Sequence, residues 1–262
     1  MITFDKIVKK LLKKSGNVML KSDIFEIIDP EQKKSYQSKT DKTIYSLKAK
    51  GHIIPIKSGI YIIPSQEDKN LNKIDLIEKY YLKLLKRYIL ENCGTNYYIS
   101  GNKALEIHDK NFSIPEKIFI TTKDTNKKII IGNYQIIFKT ITGKKNEKNT
   151  NLFSKFKDFS EVKEIEDIKF KVSNLELSLV ESCVLSDINE PLNIKLINKI
   201  LKKYKNNFGI EIFYKIGEYK YIMSFNRLKE LSKKIDEGLY TVFLDIVKKN
   251  GGLFIGEGLR GF

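Results

Sequence analysis

The stretch Ile44-Tyr45-Ser46-Leu47-Lys48-Ala49-Lys50-Gly51-His52-Ile53-Ile54-Pro55-Ile56-Lys57-Ser58-Gly59-Ile60-Tyr61-Ile62-Ile63-Pro64 changes its hydrophobic period halfway along. Up to Ala49 the apolar residues keep helical spacing. From His52, two short runs rich in Ile and Tyr, His52 to Ile56 and Gly59 to Ile63, flank a Lys57-Ser58 connection. The pattern predicts a helix stopped at Gly51 and then a β-hairpin. The helix should begin at Ser38, whose hydroxyl can cap it, and should turn Thr40, Ile44 and Leu47 inward.

Upstream, Phe4, Ile7, Val8, Leu11 and Leu12 fall at i, i+3, i+4, i+7 and i+8, with Asp5 and five lysines on the other face. This predicts one amphipathic helix, closed at Ser15-Gly16-Asn17 because Gly and Asn tolerate the left-handed turn. Ser22 or Asp23 can cap a second helix that carries Ile24, Phe25, Ile27 and Ile28 and stops at Asp29-Pro30. Three helices followed by a hairpin make a winged helix-turn-helix domain of residues 1–65. In that arrangement the third helix enters the DNA major groove. Ser38, Lys39, Lys42, Thr43 and Ser46 then face outward, and Lys57 sits at the wing tip. Lysines supply phosphate contacts, while Ser and Thr hydroxyls can reach base edges.

Charge agrees with this placement. The 262-residue chain carries a formal net charge of +16, from 48 basic against 32 acidic residues. Only Arg87, Arg227 and Arg260 are arginine, and Lys-rich, Ile-rich, Asn-rich usage is what an AT-rich genome yields, so net charge alone is a weak indicator. Position is stronger: thirteen lysines against six acids give +7 in the first 65 residues, while the other 197 residues carry +9. Genome composition does not predict that twofold difference in density, whereas contact with a polyanion does.

Residues 65–72 are polar and predict a linker, after which residues 73–262 read as a larger mixed α/β domain, so the fold class is α+β. Its predicted elements are a helix over 73–91, a strand at Tyr97 to Ser100 and a short helix from Gly101 to Ile107. Strands at 117–122, 128–131 and 134–141 follow, the last two joined at Gly132-Asn133. Residues 142–151 read as a polar surface loop. A strand at Ile168 to Val172 leads into Ser173, with Glu176 three residues on, a capping-box spacing for a helix ending near Leu185. Helices are predicted near 192–204, 210–223 and 226–235. Beyond Asp236 lie an apolar run, Tyr240 to Val247, and a glycine-rich end.

Signals for catalysis are weak. His52 and His108 lie in separate domains, and Cys93 and Cys183 are ninety residues apart with no histidine beside them, so no metal site, nucleophilic pair or disulfide framework is predicted. There is no Walker A and no GxGxxG sequence. Gly256 to Gly261 lacks the strand and helix of a phosphate cradle. Ser100-Gly101-Asn102 followed by Lys117-Ile118-Phe119-Ile120-Thr121-Thr122 has the outline of a nucleotidyltransferase site, but Thr and Lys stand where a Mg²⁺ site needs paired carboxylates. Glu116 and Asp124 flank that strand at its two ends. The expectation is therefore no enzyme, no catalytic residue, no cofactor and no metal. Residues 1–16 do not read as a signal peptide, and no apolar run approaches the roughly eighteen residues of a membrane span, so a cytoplasmic protein is expected.

The run Ile44 to Pro64 resembles the winged-helix signature of the AbiEi antitoxins of type IV toxin-antitoxin, or phage abortive infection, systems. Tyr98 to Leu105 with Ile118 to Thr122, and Val172 to Glu181, resemble the order of motifs in that family's C-terminal domain. The resemblance implies a DNA-binding transcriptional autorepressor acting on inverted repeats in its own promoter. It also implies a C-terminal domain that counters a nucleotidyltransferase toxin encoded alongside, in phage defence. Carried onto this chain, the operator contacts fall on Ser38, Lys39, Lys42, Thr43, Ser46, Lys50 and Lys57. The third helix has no arginine for a bidentate contact to guanine, so an AT-rich operator is expected. The alternative is a winged-helix transcription factor whose second domain senses a ligand or oligomerises.

Overall fold

The computed structural model describes residues 3–30, 37–57, 59–141, 152–184, 192–219 and 221–251. These form two compact units of mixed α and β structure. One runs up to Gly94 and includes Ile129–Gln135; the other holds Thr95–Lys128 and the described residues from Ile136 onward. The helix pair that follows the polar 65–72 stretch, assigned by sequence to the second domain, thus belongs with the first unit.

In the first unit the order is α1 (Phe4–Leu12), β1 (Asn17–Leu20), α2 (Lys21–Ile28), α3 (Gln37–Ala49), β2 (Ile54–Pro55), β3 (Ile60–Ile63), α4 (Lys73–Lys79) and α5 (Tyr81–Cys93). The helical stripes bury as their spacing requires. Ile7 and Leu11 of α1, Ile24 of α2, and Ile44 and Leu47 of α3 meet Met19, Ile53, Tyr61 and Ile63 in one core. Each such side chain contributes about 1.5–3 kcal/mol on leaving water. Leu12, on the edge of the α1 stripe, is instead 56% exposed.

The hairpin is one strand richer than its sequence suggests. β3 is central, antiparallel to β1 from Asn17↔Ile63 to Leu20↔Ile60 and to β2 at Ile54↔Ile62. β1 follows α1 through a turn at Gly16, whose φ of +75° suits glycine and whose N–H donates to the Ile63 carbonyl at 2.8 Å. Four residues between two helices give too short a run for period-two alternation to declare itself, so the strand was not legible. β2 is confined to Ile54–Pro55, and His52 precedes it.

The helix predicted over 73–91 is two helices. Tyr80 leaves helical geometry between α4 and α5 (φ −100°, ψ 13°), and its hydroxyl donates to Asp68 Oδ2 at 2.6 Å. Ile74, in the first turn of α4, is 51% exposed. α5 is tied back onto the small sheet: Tyr88 Oη donates to the Lys57 carbonyl at 2.9 Å, Arg87 Nε to the Val18 carbonyl at 3.2 Å, and Lys83 Nζ to the Gly16 carbonyl.

The larger sheet has six strands in the order β6-β7-β5-β4-β9-β8. Its strands are β4 (Tyr97–Ile99), β5 (Lys117–Thr122), β6 (Lys127–Ile131), β7 (Tyr134–Thr140), β8 (Ser160–Ile165) and β9 (Ile168–Ser173). β4 runs antiparallel to β5 and parallel to β9. The edge strand β8 was not predicted because Ser-Glu-Val-Lys-Glu-Ile is polar on both faces, which is how edges avoid pairing with other chains.

The helices here are α6 (Asn102–His108), α7 (Phe153–Phe156), α8 (Leu175–Ser182), α9 (Ile194–Tyr204), α10 (Ile210–Tyr219), α11 (Ile222–Ser232) and α12 (Glu237–Lys249). Two helix ends differ from expectation. Ser173 remains in β9, and Asn174 caps α8 by accepting from Leu177 N at 2.9 Å, while Glu176 turns away to accept from Gly209 N at 2.7 Å. The helix predicted over 210–223 ends at Tyr219, and α11 begins after Tyr221, whose φ is +77°. α12 accounts for the apolar run beyond Asp236: Phe243 packs on Phe213 with ring centroids 5.1 Å apart. The predicted loop 142–151 and the glycine-rich end 256–261 lie outside the described residues. Among the described residues no helix is long and apolar enough to cross a membrane.

Candidate nucleic-acid interface

The candidate surface is the side of α3 opposite its buried stripe. Thr40, Ile44 and Leu47 are 6%, 3% and 0% exposed, which fixes the rotation of the helix about its axis. Asp41, Lys42, Tyr45, Lys48 and Ala49 are consequently exposed, and Thr43 and Ser46 are half-buried at the flank.

The residues nominated from sequence fall into three groups. Lys42, Lys50 and Lys57 are exposed. Thr43 and Ser46 are less available than expected, and Ser46 Oγ donates its proton to the Lys42 carbonyl at 3.1 Å. The side chains of Ser38 and Lys39, in the first turn of α3, lie outside the described residues. Lys50, just beyond the helix, carries its ammonium 4.6 Å from the centroid of the Phe4 ring, a cation–π contact that holds it beside α1. Lys57 is positioned from below, because its carbonyl accepts from both Tyr88 Oη and Ile60 N. The turn it occupies closes at Gly59, with φ +74°.

Two residues missed from sequence share the surface. Tyr45 is 73% exposed and lies one turn from both Lys42 and Lys48. The stripe Thr40, Ile44, Leu47 excludes it from the core, so its exposure is legible in the helical period. Lys48 has its ammonium 5.7 Å from the Tyr61 ring. The one acid on this face, Asp41, is paired with Lys21 at 3.1 Å, an exposed pair that adds little stability but offsets the negative charge there. Arg87 is occupied elsewhere, bridging the Val18 carbonyl and, at 3.6 Å, Asp23.

Thr121 and Thr122 on β5 are fully buried, and Glu116 and Asp124 stand exposed at its ends. No group of three or more metal-ligating side chains occurs among the described residues. His108 is a structural residue: its Nε2 lies 2.8 Å from the Ser173 carbonyl, and burial pulls its pKa below the usual imidazole value. Both cysteines are free, with burial raising Cys93 to about 11 and Cys183 to about 12, far from a reactive thiolate.

No family model matches the chain, nor does the sequence of any curated protein. Among solved structures the fold is similar to that of the Rv2827c protein from Mycobacterium tuberculosis. That match has a TM-score of 0.61 at 12% sequence identity and covers 95% of this chain and 82% of the other. At that identity the likeness concerns the fold.

Proposed function

We propose that the first unit is a winged helix-turn-helix that binds double-stranded DNA, with α3 as recognition helix and the β2–β3 turn as wing. In this reading the chain is the autorepressor and antitoxin of a type IV toxin-antitoxin system of the AbiEi kind. It occupies inverted repeats in its own promoter and, through its second unit, counters a nucleotidyltransferase toxin. The observation that carries the DNA-binding half is the two-sidedness of α3. One side is anchored by Thr40, Ile44 and Leu47, and the other presents Lys42, Lys48 and Tyr45 to solvent. Surface helices in general carry a polar outer side, so what favours the DNA reading is its content: it is basic, and an exposed aromatic stands between two lysines, as a major-groove reader requires. A non-enzymatic role and a cytoplasmic location go with this reading: β5 offers threonines where a two-metal site needs acids, and both thiols are free.

The test is a titration of the purified protein against DNA from directly upstream of its own coding sequence, at low and moderate salt, with unrelated duplex as competitor. Specific binding should survive the competitor and weaken with salt according to the number of phosphate contacts. Binding that the competitor removes equally well would reduce the +16 charge to nonspecific attraction. For the antitoxin half, co-expression with the adjacent gene should relieve growth arrest caused by that gene alone; persistent arrest would reject it.

A further inference from the structure

Tyr45 is the most exposed of the large hydrophobic side chains described, at 73%. A lone exposed aromatic on a surface needs no explanation. This one stands on the outer face of a helix whose other exposed side chains, among those described, are charged or small. Lys42, Tyr45 and Ala49 fall at i, i+3 and i+7 along that face, and Lys48 is one turn from the ring on its other side. Ala49, four residues on, has too little bulk to cover the ring. The hydroxyl-bearing residues on this part of the helix are set back: Thr43 and Ser46 are half-buried, and the Ser46 proton is committed to the Lys42 carbonyl. The side chain that projects furthest between two lysines is thus an apolar ring with a polar tip.

We infer that Tyr45 reads a thymine in the bound duplex, its ring packing on the 5-methyl group in the major groove while Lys42 and Lys48 hold the flanking phosphates. This rests on the DNA-binding reading above and names the base that the site selects. Charge complementarity identifies the occupant as a polyanion, and among base edges only thymine offers an apolar group to an aromatic ring in the major groove. With no arginine on α3 to grip guanine, this contact supplies the discrimination that the lysines, which see only phosphate, cannot.

The experiment uses the full chain. Duplexes selected from a randomised library give the bound sequence, and each thymine in it is then replaced singly by deoxyuridine, which lacks only the methyl group. At one position per half-site the replacement should weaken wild-type binding about fourfold, the worth of one buried methyl. Tyr45→Ala should bind the thymine and deoxyuridine duplexes equally, and Tyr45→Phe should keep the discrimination. Neither variant should shift the melting temperature, because the ring is in water. A wild-type protein indifferent to deoxyuridine everywhere, or a penalty that persists in Tyr45→Ala, overturns the assignment while leaving DNA binding intact. A selection that enriches no sequence overturns the underlying DNA-binding reading as well.

Discussion

Glu181 is a carboxyl held in an apolar wall with half of its hydrogen-bonding capacity unused. It is 8% exposed, and its Oε1 accepts from Tyr98 Oη at 3.0 Å and Tyr221 Oη at 3.3 Å. Its Oε2 has no hydrogen-bond partner among the described residues. Burial raises its pKa from 4.5 to about 7, against the lowering effects of the Lys139 charge and the surrounding hydroxyls. The native state therefore holds a proton between pH 4.5 and 7 that the unfolded chain has released. Stability from this group is complete below about pH 4.5, declines as pH rises, and is lost above about 7. Glu181→Gln keeps the shape and the acceptor for the two tyrosines but removes the charge. The variant should be more stable than wild type at pH 8, by about 2–3 kcal/mol, and should lose the decline between pH 5 and 7. Urea midpoints measured at unit intervals of pH check this. An unchanged slope in the variant would place the titration elsewhere. The sequence showed Glu176 and Glu181 as equivalent members of one helix; only the folded structure distinguishes the one that bonds a backbone N–H from the one that is entombed.

Among the elements, α3 was the most legible. Its stripe needed only the helical period, and Thr40, Ile44 and Leu47 are all buried as that period requires. Leu47→Ala should cost about 2–5 kcal/mol, because a fully buried Leu leaves a cavity when truncated; a melting temperature that barely moves would displace the helix register and with it the exposed face. Lys42→Ala, by contrast, should leave stability unchanged and reduce the slope of log K against log salt by about one. An unaltered slope would show that Lys42 does not touch phosphate. Elements whose residues lack a one-sided pattern were the illegible ones. β1 is four residues long, and β8 carries charge on both faces. The turn between β8 and β9 hides in the same way: Glu166 and Asp167 both have positive φ, 46° and 64°, in a two-residue connection that favours Asn-Gly. Replacing the pair by Asn-Gly should gain about 1 kcal/mol by relieving left-handed strain, read as a higher urea midpoint. No gain would mean that neighbouring contacts already offset the strain.

At the scale of the molecule, the polar stretch before α4 is organised around one buried carboxylate that composition disguises. Ser65 to Asn72 contains no large apolar residue but Leu71, so by sequence it is a linker. In the fold it wraps Asp68, which is 2% exposed and accepts from Lys79 Nζ at 2.7 Å, Tyr80 Oη at 2.6 Å and Ser65 N at 2.6 Å. Burial by itself would raise this carboxyl; the bonds from Lys79, Tyr80 and Ser65 outweigh it and hold the pKa at about 2. Its contribution is thus present above about pH 4 and is lost as pH falls through 2, opposite in sense to that of Glu181. Tyr80, the residue between α4 and α5, is one of the three donors to this carboxylate. Asp68→Asn removes the charge from Lys79 and leaves a buried amide among donors, at a cost of about 2 kcal/mol given that Lys79 is 40% exposed. The segment should then open about thirtyfold more often, and trypsin should cleave between Ser65 and Lys73 in the full-length variant at pH 7.5 under conditions that leave the wild type intact there. Equal cleavage of the two proteins would mean that the segment opens without regard to Asp68, and the polar stretch would be the linker its composition suggests.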